Sequence, residues 1–177
     1  MLAACSSLPP GSHALDRELR AYTLEGRFSL RHGERSGSGR ISWTHAPAGD
    51  HVLIQDPFGN GLAELEHGPL TTRIRMADGS VAEDADPEAL MLRLTGLPLP
   101  VRGIGDWLSG RLSAAETHDW VLDRDSLGRT ARLVRDGWSI RFEYAEELAD
   151  ALPARIFASR RDALELRLSA DRWTLEP

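Results

Sequence analysis

The sequence predicts a mainly β (α+β) domain: about eleven strands in an antiparallel meander, curled into a barrel or half-barrel and covered by short helices. Three observations carry this reading. Apolar and polar residues alternate with period two in run after run. Clusters of turn-forming residues separate those runs at short, regular spacing. One helical insertion, with its own start and stop signals, interrupts the series.

Residues 1–12 stand apart from the rest. Met1 to Cys5 is followed by Ser6-Ser-Leu-Pro-Pro-Gly-Ser12, a small-residue, Pro/Gly-containing stretch that reads as a flexible tether. The single folded domain is then 13–177. A short amphipathic helix is expected from about Ser12 to Arg20, with Ser12 as N-cap and Leu15 and Leu19 on one face. From Tyr22 the period becomes two. Tyr22, Leu24, Phe28 and Leu30 share a face, as do Ile41 and Trp43. Leu70, Thr72, Ile74 and Met76 form the next such set, then Trp138, Ile140, Phe142 and Tyr144, and finally Leu164, Leu166 and Leu168. Strands of this kind are half-buried, with one apolar and one polar face. The separators include Gly33 to Gly39, Asp56-Pro-Phe-Gly59, His67-Gly-Pro69, Asp78-Gly79 and Asp136-Gly137. Asp-Gly between alternating runs is a strong hairpin signal.

The helical insertion opens at Asp86-Pro87-Glu88, with Asp as N-cap and Pro at the first helical position. Leu90, Met91 and Leu94 supply its apolar face and Gly96 ends it. Leu97-Pro-Leu-Pro100 continues as a rigid apolar extended piece. A second short helix is expected over Val101 to Ser109, carrying Ile104, Trp107 and Leu108 and closed by Gly110. These helices are apolar enough to cover the concave face of the sheet. A fully packed interior would make that face an ordinary core. An incompletely packed one would make it a pocket for an apolar ligand.

Composition narrows the function. The 177 residues include 27 acidic and 21 basic ones, a net charge of −6. That balance points away from nucleic acid, which calls for a basic patch. Every basic residue is Arg, so lysine chemistry, including Schiff bases, is excluded. One Cys permits no intrachain disulfide, and one Cys with six scattered His gives no zinc-ligand spacing. No apolar run is long enough for a membrane-spanning helix. No G-x-S-x-G or H-E-x-x-H motif is present. Gly37-Ser-Gly39 lies in a hairpin turn rather than before a phosphate-binding helix. His32, His45, His51, His67 and His118 fall at strand ends or in loops, and Glu146-Glu147 reads as a solvated edge. The expectation is therefore no catalytic residue, no metal and no cofactor.

Two features stand out. Leu2-Ala-Ala-Cys5 resembles the lipobox of bacterial lipoproteins, in which the Cys becomes the lipidated N-terminus. The lone Cys heads a tether that leads into a folded domain. No charged or apolar signal region precedes it, which suggests a truncated or late-placed start. The second feature is the turn Asp56-Pro57-Phe58-Gly59. Asp at i, Pro at i+1 and Gly at i+3 suit a type I turn, whose i+2 position, here Phe58, faces solvent. A lone exposed apolar residue is ordinary. At the tip of a tight hairpin in a tethered protein it also fits contact with a membrane or a partner.

Taken in order, these residues resemble the LolB family of outer-membrane lipoproteins. The likeness runs through Cys5, Gly26-Arg-Phe28, Gly39-Arg-Ile-Ser-Trp43 and Asp56-Pro-Phe-Gly59. It continues through Leu94-Thr-Gly-Leu-Pro-Leu-Pro100, Asp106-Trp-Leu-Ser-Gly110 and Trp173-Thr-Leu175, nearly the whole chain. The resemblance implies a half-open antiparallel β-barrel closed by helices, with an apolar cavity for acyl chains. It implies a monomer, lipid-anchored through Cys5 at the periplasmic face of the bacterial outer membrane. Such a protein receives acylated lipoprotein cargo from a LolA-type periplasmic carrier and inserts it into outer-membrane lipid, without catalysis. Phe58 then falls at the tip of the family's membrane-inserting loop, where Leu is usual. The expected cavity residues are Leu24, Phe28, Ile41, Trp43, Ile74, Leu90, Leu94, Trp107, Trp138, Ile140 and Phe142. The physical need is plain: at about 0.8 kcal/mol per CH₂, an exposed long acyl chain costs on the order of 10 kcal/mol in water. The competing readings are a soluble LolA-like carrier, a structural lipoprotein with a filled core, and a small lipid-modifying enzyme, for which no nucleophile or metal cluster is seen.

Overall fold

The alternating runs become eleven antiparallel strands in a computed structural model that describes residues 21–97, 99–112, 120–160 and 164–176. In chain order they are β1 (Tyr22–His32), β2 (Arg35–Ala46), β3 (Gly49–Gln55), β4 (Gly61–His67), β5 (Thr72–Met76) and β6 (Val81–Asp84). After the helices come β7 (Val121–Arg124), β8 (Thr130–Arg135), β9 (Trp138–Glu143), β10 (Arg155–Arg160) and β11 (Leu164–Leu175). They make one sheet of order β6-β5-β4-β3-β2-β1-β11-β10-β9-β8-β7, with β6 and β7 as its open edges. The long central strands β1 and β11 bring the two ends of the described chain together, Tyr22 opposite Leu175.

Two helices among the described residues, α1 (Pro87–Thr95) and α2 (Ile104–Leu108), lie in the connection between those edges. A chain that leaves one edge of a curved sheet and re-enters at the other must cross its open side. That topology is what places the helices over the concave face. The start and stop signals act as read from the sequence. The Asp86 carboxylate accepts from the backbone N–H of Glu88 (3.1 Å) and Ala89 (3.2 Å), and Pro87 takes the first helical position. Gly96 caps the other end at φ 70°, where a Cβ would be strained. Helix α2 is shorter than the expected 101–109, because Gly103 in the left-handed region breaks the helical path before Ile104.

The inward face holds one continuous core. Tyr22, Leu24, Trp43, Val52, Ile104, Trp107, Leu108, Leu133, Trp138, Ile140, Phe142, Ile156, Leu164 and Leu168 are among its buried members. The outward face carries cross-strand ion pairs such as Arg27–Asp171 and Arg31–Glu165, both at 2.8 Å and both exposed. Such pairs are worth little individually but keep the face soluble.

Two departures from simple alternation have physical causes. A bulge lets Glu25 pair with Arg172 and Gly26 with Ala170, so Asp171 is the extra residue in β11. The face therefore switches parity, and Trp173 joins Leu164, Leu166 and Leu168 on the inner side, opposite Leu24. Leu70, expected on the apolar face of β5, lies in the turn before it and is 87% exposed. Gly68 and Pro69 delay the strand until Thr72, beyond the point where Leu70 could pair. The expected helix over 12–20 and Cys5 lie outside the described residues.

Candidate functional site

Helix α2 is fastened to the sheet by a buried polar cluster. Asp50 of β3, opposite His45 of β2, accepts from Trp43 Nε1 at 2.8 Å, and its Oδ1 lies 2.8 Å from His45 Nδ1. The Tyr22 hydroxyl donates to the Gly105 carbonyl, and the Tyr22 and His45 rings sit 5.2 Å apart. A Cβ on Gly105 would fall 2.3 Å from His45 Nδ1 and 2.4 Å from Asp50 Oδ1. Glycine is required there because the helix backbone rests directly on the pair. These bonds were not legible in the alternation, which placed His45 at a strand end only.

Beside this closed contact the interior is incompletely filled. A half-open cavity of about 510 Å³ lies between α1, the segment around Leu99-Pro100, and strands β8 to β10. Its apolar walls are Leu92, Leu99, Trp107, Leu133, Trp138 and Ile140. Its charged lining is Glu88, Arg102, Arg135, Asp136 and Arg160.

Of the expected cavity residues, Trp107, Trp138 and Ile140 lie on this wall. Leu24, Trp43 and Phe142 are buried in the adjoining core, with Phe28 and Ile41 partly buried against it. Ile74 and Leu90 are buried outside that cluster, and Leu94 is half-buried. Alternation identified the face; it carried no information on where that face is left uncovered.

Two inward arginines went unread in the sequence. Trp138 in β9 is paired with Arg135 on one side and Arg160 on the other, so all three point to the concave face. The signal was present for Arg135. It flanks the two-residue turn Asp136-Gly137 opposite Trp138, and residues flanking such a turn face each other on one side of the sheet.

The turn of Phe58 is built as the sequence indicated. The Gly59 N–H donates to the Asp56 carbonyl at 3.0 Å, and Asp56 Oδ1 accepts from the backbone N–H of Phe58 (2.8 Å) and Asn60 (2.9 Å). The side-chain bond from Asn60 (2.7 Å), aided by these backbone donors, holds the Asp56 carboxyl below its usual pKa. Phe58 is 92% exposed and so contributes nothing to the core. Strands β3, β8 and β10 run in the same direction, so the Phe58 turn and Arg135 and Arg160 sit at the same end of the sheet.

A possible donor set for a cation lies elsewhere, on β3 and β4. Groups of His51, Glu64 and Glu66 are within 4.8 Å of one another. His51 Nε2 and Glu64 Oε1 are 2.8 Å apart, and that bond lowers the Glu64 pKa. Arg73 lies 3.8 Å from Glu66. These side chains are engaged with one another on the solvated face and do not reach the cavity.

The family described as outer membrane lipoprotein LolB matches residues 20–173. The outer-membrane lipoprotein LolB of Dechloromonas aromatica is 38% identical, covering 100% of this chain and 94% of its own. That of an Azoarcus species is 35% identical, covering 99% and 90%. Among solved structures, a LolA superfamily protein from Nitrosomonas europaea superposes with TM-score 0.55 at 12% identity, covering 96% of this chain and 95% of that one. A DUF1329 family protein from Desulfovibrio piger gives 0.57 at 9%, covering 93% and 88%. At such low identity these two likenesses show the fold.

Proposed function

The chain belongs to the outer membrane lipoprotein LolB family, and from that premise we propose that it receives acylated lipoproteins from a LolA-type periplasmic carrier and inserts them into the outer membrane. The observation that carries this reading is the half-open cavity of about 510 Å³ walled by Leu92, Leu99, Trp107, Leu133, Trp138 and Ile140. Its volume is in the range of sites that hold small ligands, roughly 300–1,000 Å³. An acyl chain inside it avoids the cost of exposure to water, about 0.8 kcal/mol per CH₂. The transfer needs no bond to break. Delivery runs downhill wherever the bilayer holds the chains more tightly than the cavity does.

Cys5 anchors the protein through lipid at the periplasmic face of the outer membrane, and residues 1–12 let the domain reach incoming cargo. Phe58, at the strand end that also holds the cavity's arginines, enters the bilayer and brings the cavity to the lipid surface. The domain works as a monomer.

The test is transfer in two stages. Purified protein is mixed with a carrier–lipoprotein complex, and cargo acceptance is measured by co-purification. Liposomes are then added, and cargo is followed into the lipid fraction. Acceptance followed by delivery supports the reading; a protein that takes no acylated cargo from the carrier overturns it.

A further inference from the structure

A single phenylalanine is a narrow foothold in a bilayer, and the sheet places more beside it. Strands β3 and β5 run in the same direction, so the β3–β4 turn and the β5–β6 turn project from one end of the sheet. The Ala77 N–H donates to the Leu62 carbonyl at 2.9 Å, which seats the second turn against the start of β4. Leu62 is the extra residue of a bulge: Ile54 pairs with Ala63 and Gln55 with Gly61. Bulges re-aim side chains, and this one leaves Leu62 41% exposed. Val81 opens β6 at the same end and is 52% exposed.

Apolar exposure alone does not choose this end, because Leu70, Leu148 and Leu175 are exposed at the other. The arginines do choose. Among the described residues, Arg35, Arg40 and Arg75 are exposed and form no hydrogen bond or ion pair. Arg35 opens β2 at the turn after β1, Arg40 is paired with Gln55, and Arg75 with Val81, all at the Phe58 end. At the Leu70 end the guanidinium groups are already engaged: Arg111, Arg124 and Arg129 donate to the carbonyls of Asp150, Gly128 and Glu146. Acidic groups stand at the Phe58 end too, but most are turned onto their own loops. Asp56 accepts from the N–H of Phe58 and Asn60, Asp78 from that of Ser80, and Glu64, opposite Arg75, is bonded to His51. Glu34, in the β1–β2 turn, is exposed. What this end offers outward is three apolar side chains flanked by open guanidinium forks, the group that matches a phosphate bidentately.

We propose that this end of the sheet docks on a phospholipid leaflet through two adjoining turns, with Phe58, Leu62 and Val81 at the boundary of headgroups and acyl chains and Arg40 and Arg75 on lipid phosphates. The inference rests on the reading of Phe58 as a membrane-entering residue and widens that contact from one ring to a surface. Contact through two turns fixes the domain's orientation, with the strand ends toward the lipid, where a single ring would let it swivel.

The experiment places single thiols in a full-length Cys5→Ser chain, by Phe58→Cys, Leu62→Cys, Val81→Cys and, as control at the opposite end, Leu70→Cys. Each is labelled with a polarity-sensitive fluorophore and mixed with vesicles of phosphatidylethanolamine and phosphatidylglycerol. Probes at 58, 62 and 81 should brighten and shift to the blue, and the probe at 70 should not change. A second arm measures sedimentation of the unlabelled Cys5→Ser chain with these vesicles and with digalactosyldiacylglycerol vesicles, which lack phosphate. Phospholipid should be bound about tenfold or more tightly, a gap that narrows as salt rises. R40Q/R75Q should remove that gap, at about fivefold per arginine, and leave binding to the galactolipid unchanged. A response at 58 without one at 62 and 81 overturns the inference and leaves the Phe58 reading standing. No response at 58 removes both. A response at 70 reverses the orientation and also overturns it. Equal affinity for the two kinds of vesicle removes the phosphate contacts, and with them the proposal. That comparison needs no substitution in the sheet, so it decides the question even where a labelled variant fails to fold.

Discussion

Replacing Phe58 by Glu separates cargo acceptance from cargo delivery. The side chain is 92% exposed at the tip of its turn, so the folded state loses almost no packing with it. The turn itself is held by Asp56, whose carboxylate and carbonyl accept from Phe58, Gly59 and Asn60. Both Phe58→Ala and Phe58→Glu should therefore leave stability within about 0.5 kcal/mol, as for substitutions away from packed features. Membrane engagement is governed by a different term. Burying a Phe side chain in lipid is worth roughly 1.5–3 kcal/mol. Converted at 1.4 kcal/mol per decade, its loss lowers partitioning by about ten- to a hundredfold. A carboxylate adds the cost of taking a charge into the interface. In the two-stage transfer assay, Phe58→Glu should accept cargo from the carrier at the wild-type level and fail to pass it to liposomes. Phe58→Ala should fall between. Normal delivery by Phe58→Glu would remove the insertion role. Loss of acceptance together with delivery would assign the ring to docking or packing instead.

Ile140 is 2% exposed and on the cavity wall, so Ile140→Glu places an unpaired carboxylate in apolar surroundings at a cost of several kcal/mol; acceptance should vanish and the denaturation midpoint should fall. Gly105→Ala drives a methyl to 2.3 Å from His45 Nδ1 and should cost about 1–3 kcal/mol in urea unfolding, as overpacking does; an unchanged midpoint would mean that α2 does not rest on this pair. A Cys5→Ala protein should accept cargo in solution but be absent from the outer-membrane fraction of cells, because the tether localises without binding. The Asp56 carboxyl should titrate below its ordinary 3.8 by NMR. Its bonds favour the charged form, so the turn is intact above that value and loosens as pH falls through the lowered one.

The strand meander was readable because one side of each strand is buried and the other solvated. A one-residue slip would turn Leu24 or Ile140 outward, so pattern and register coincide. The helix from Pro87 was equally readable, since Asp86, Pro87 and Gly96 each satisfy or end a specific set of backbone groups. Three things lay beyond the pattern. The Asp171 bulge shifts Trp173 to the inner face, and no residue type announces an extra residue in a long strand. The Trp43–Asp50–His45 bonds link β2 to β3 directly beneath Gly105 of a distant helix, and polar residues near a strand end look solvent-facing until that helix is in place. The inward direction of Arg160 follows only from its pairing with Trp138 across β9 and β10.

Alternation also could not distinguish a filled interior from a hollow one, because the residue types on the inner face are the same in both cases. The difference arises in how closely each helix approaches the sheet. Helix α2 presents Gly105, so its backbone comes down onto β2 and β3 and leaves no room for even a methyl. Helix α1 presents Glu88, Ala89 and Leu92 to the cavity, and Arg102 and Pro100 fill the margin beyond it. Apart from Leu92 and Leu99, that side offers small, charged and rigid side chains, which do not interdigitate with Trp138 and Ile140 as an unbroken row of leucines would. The void is thus a local property of α1 and the segment after it. Enlarging Ala89 to Leu would fill space without touching the buried bonds that hold α2, whereas any side chain at position 105 breaks them.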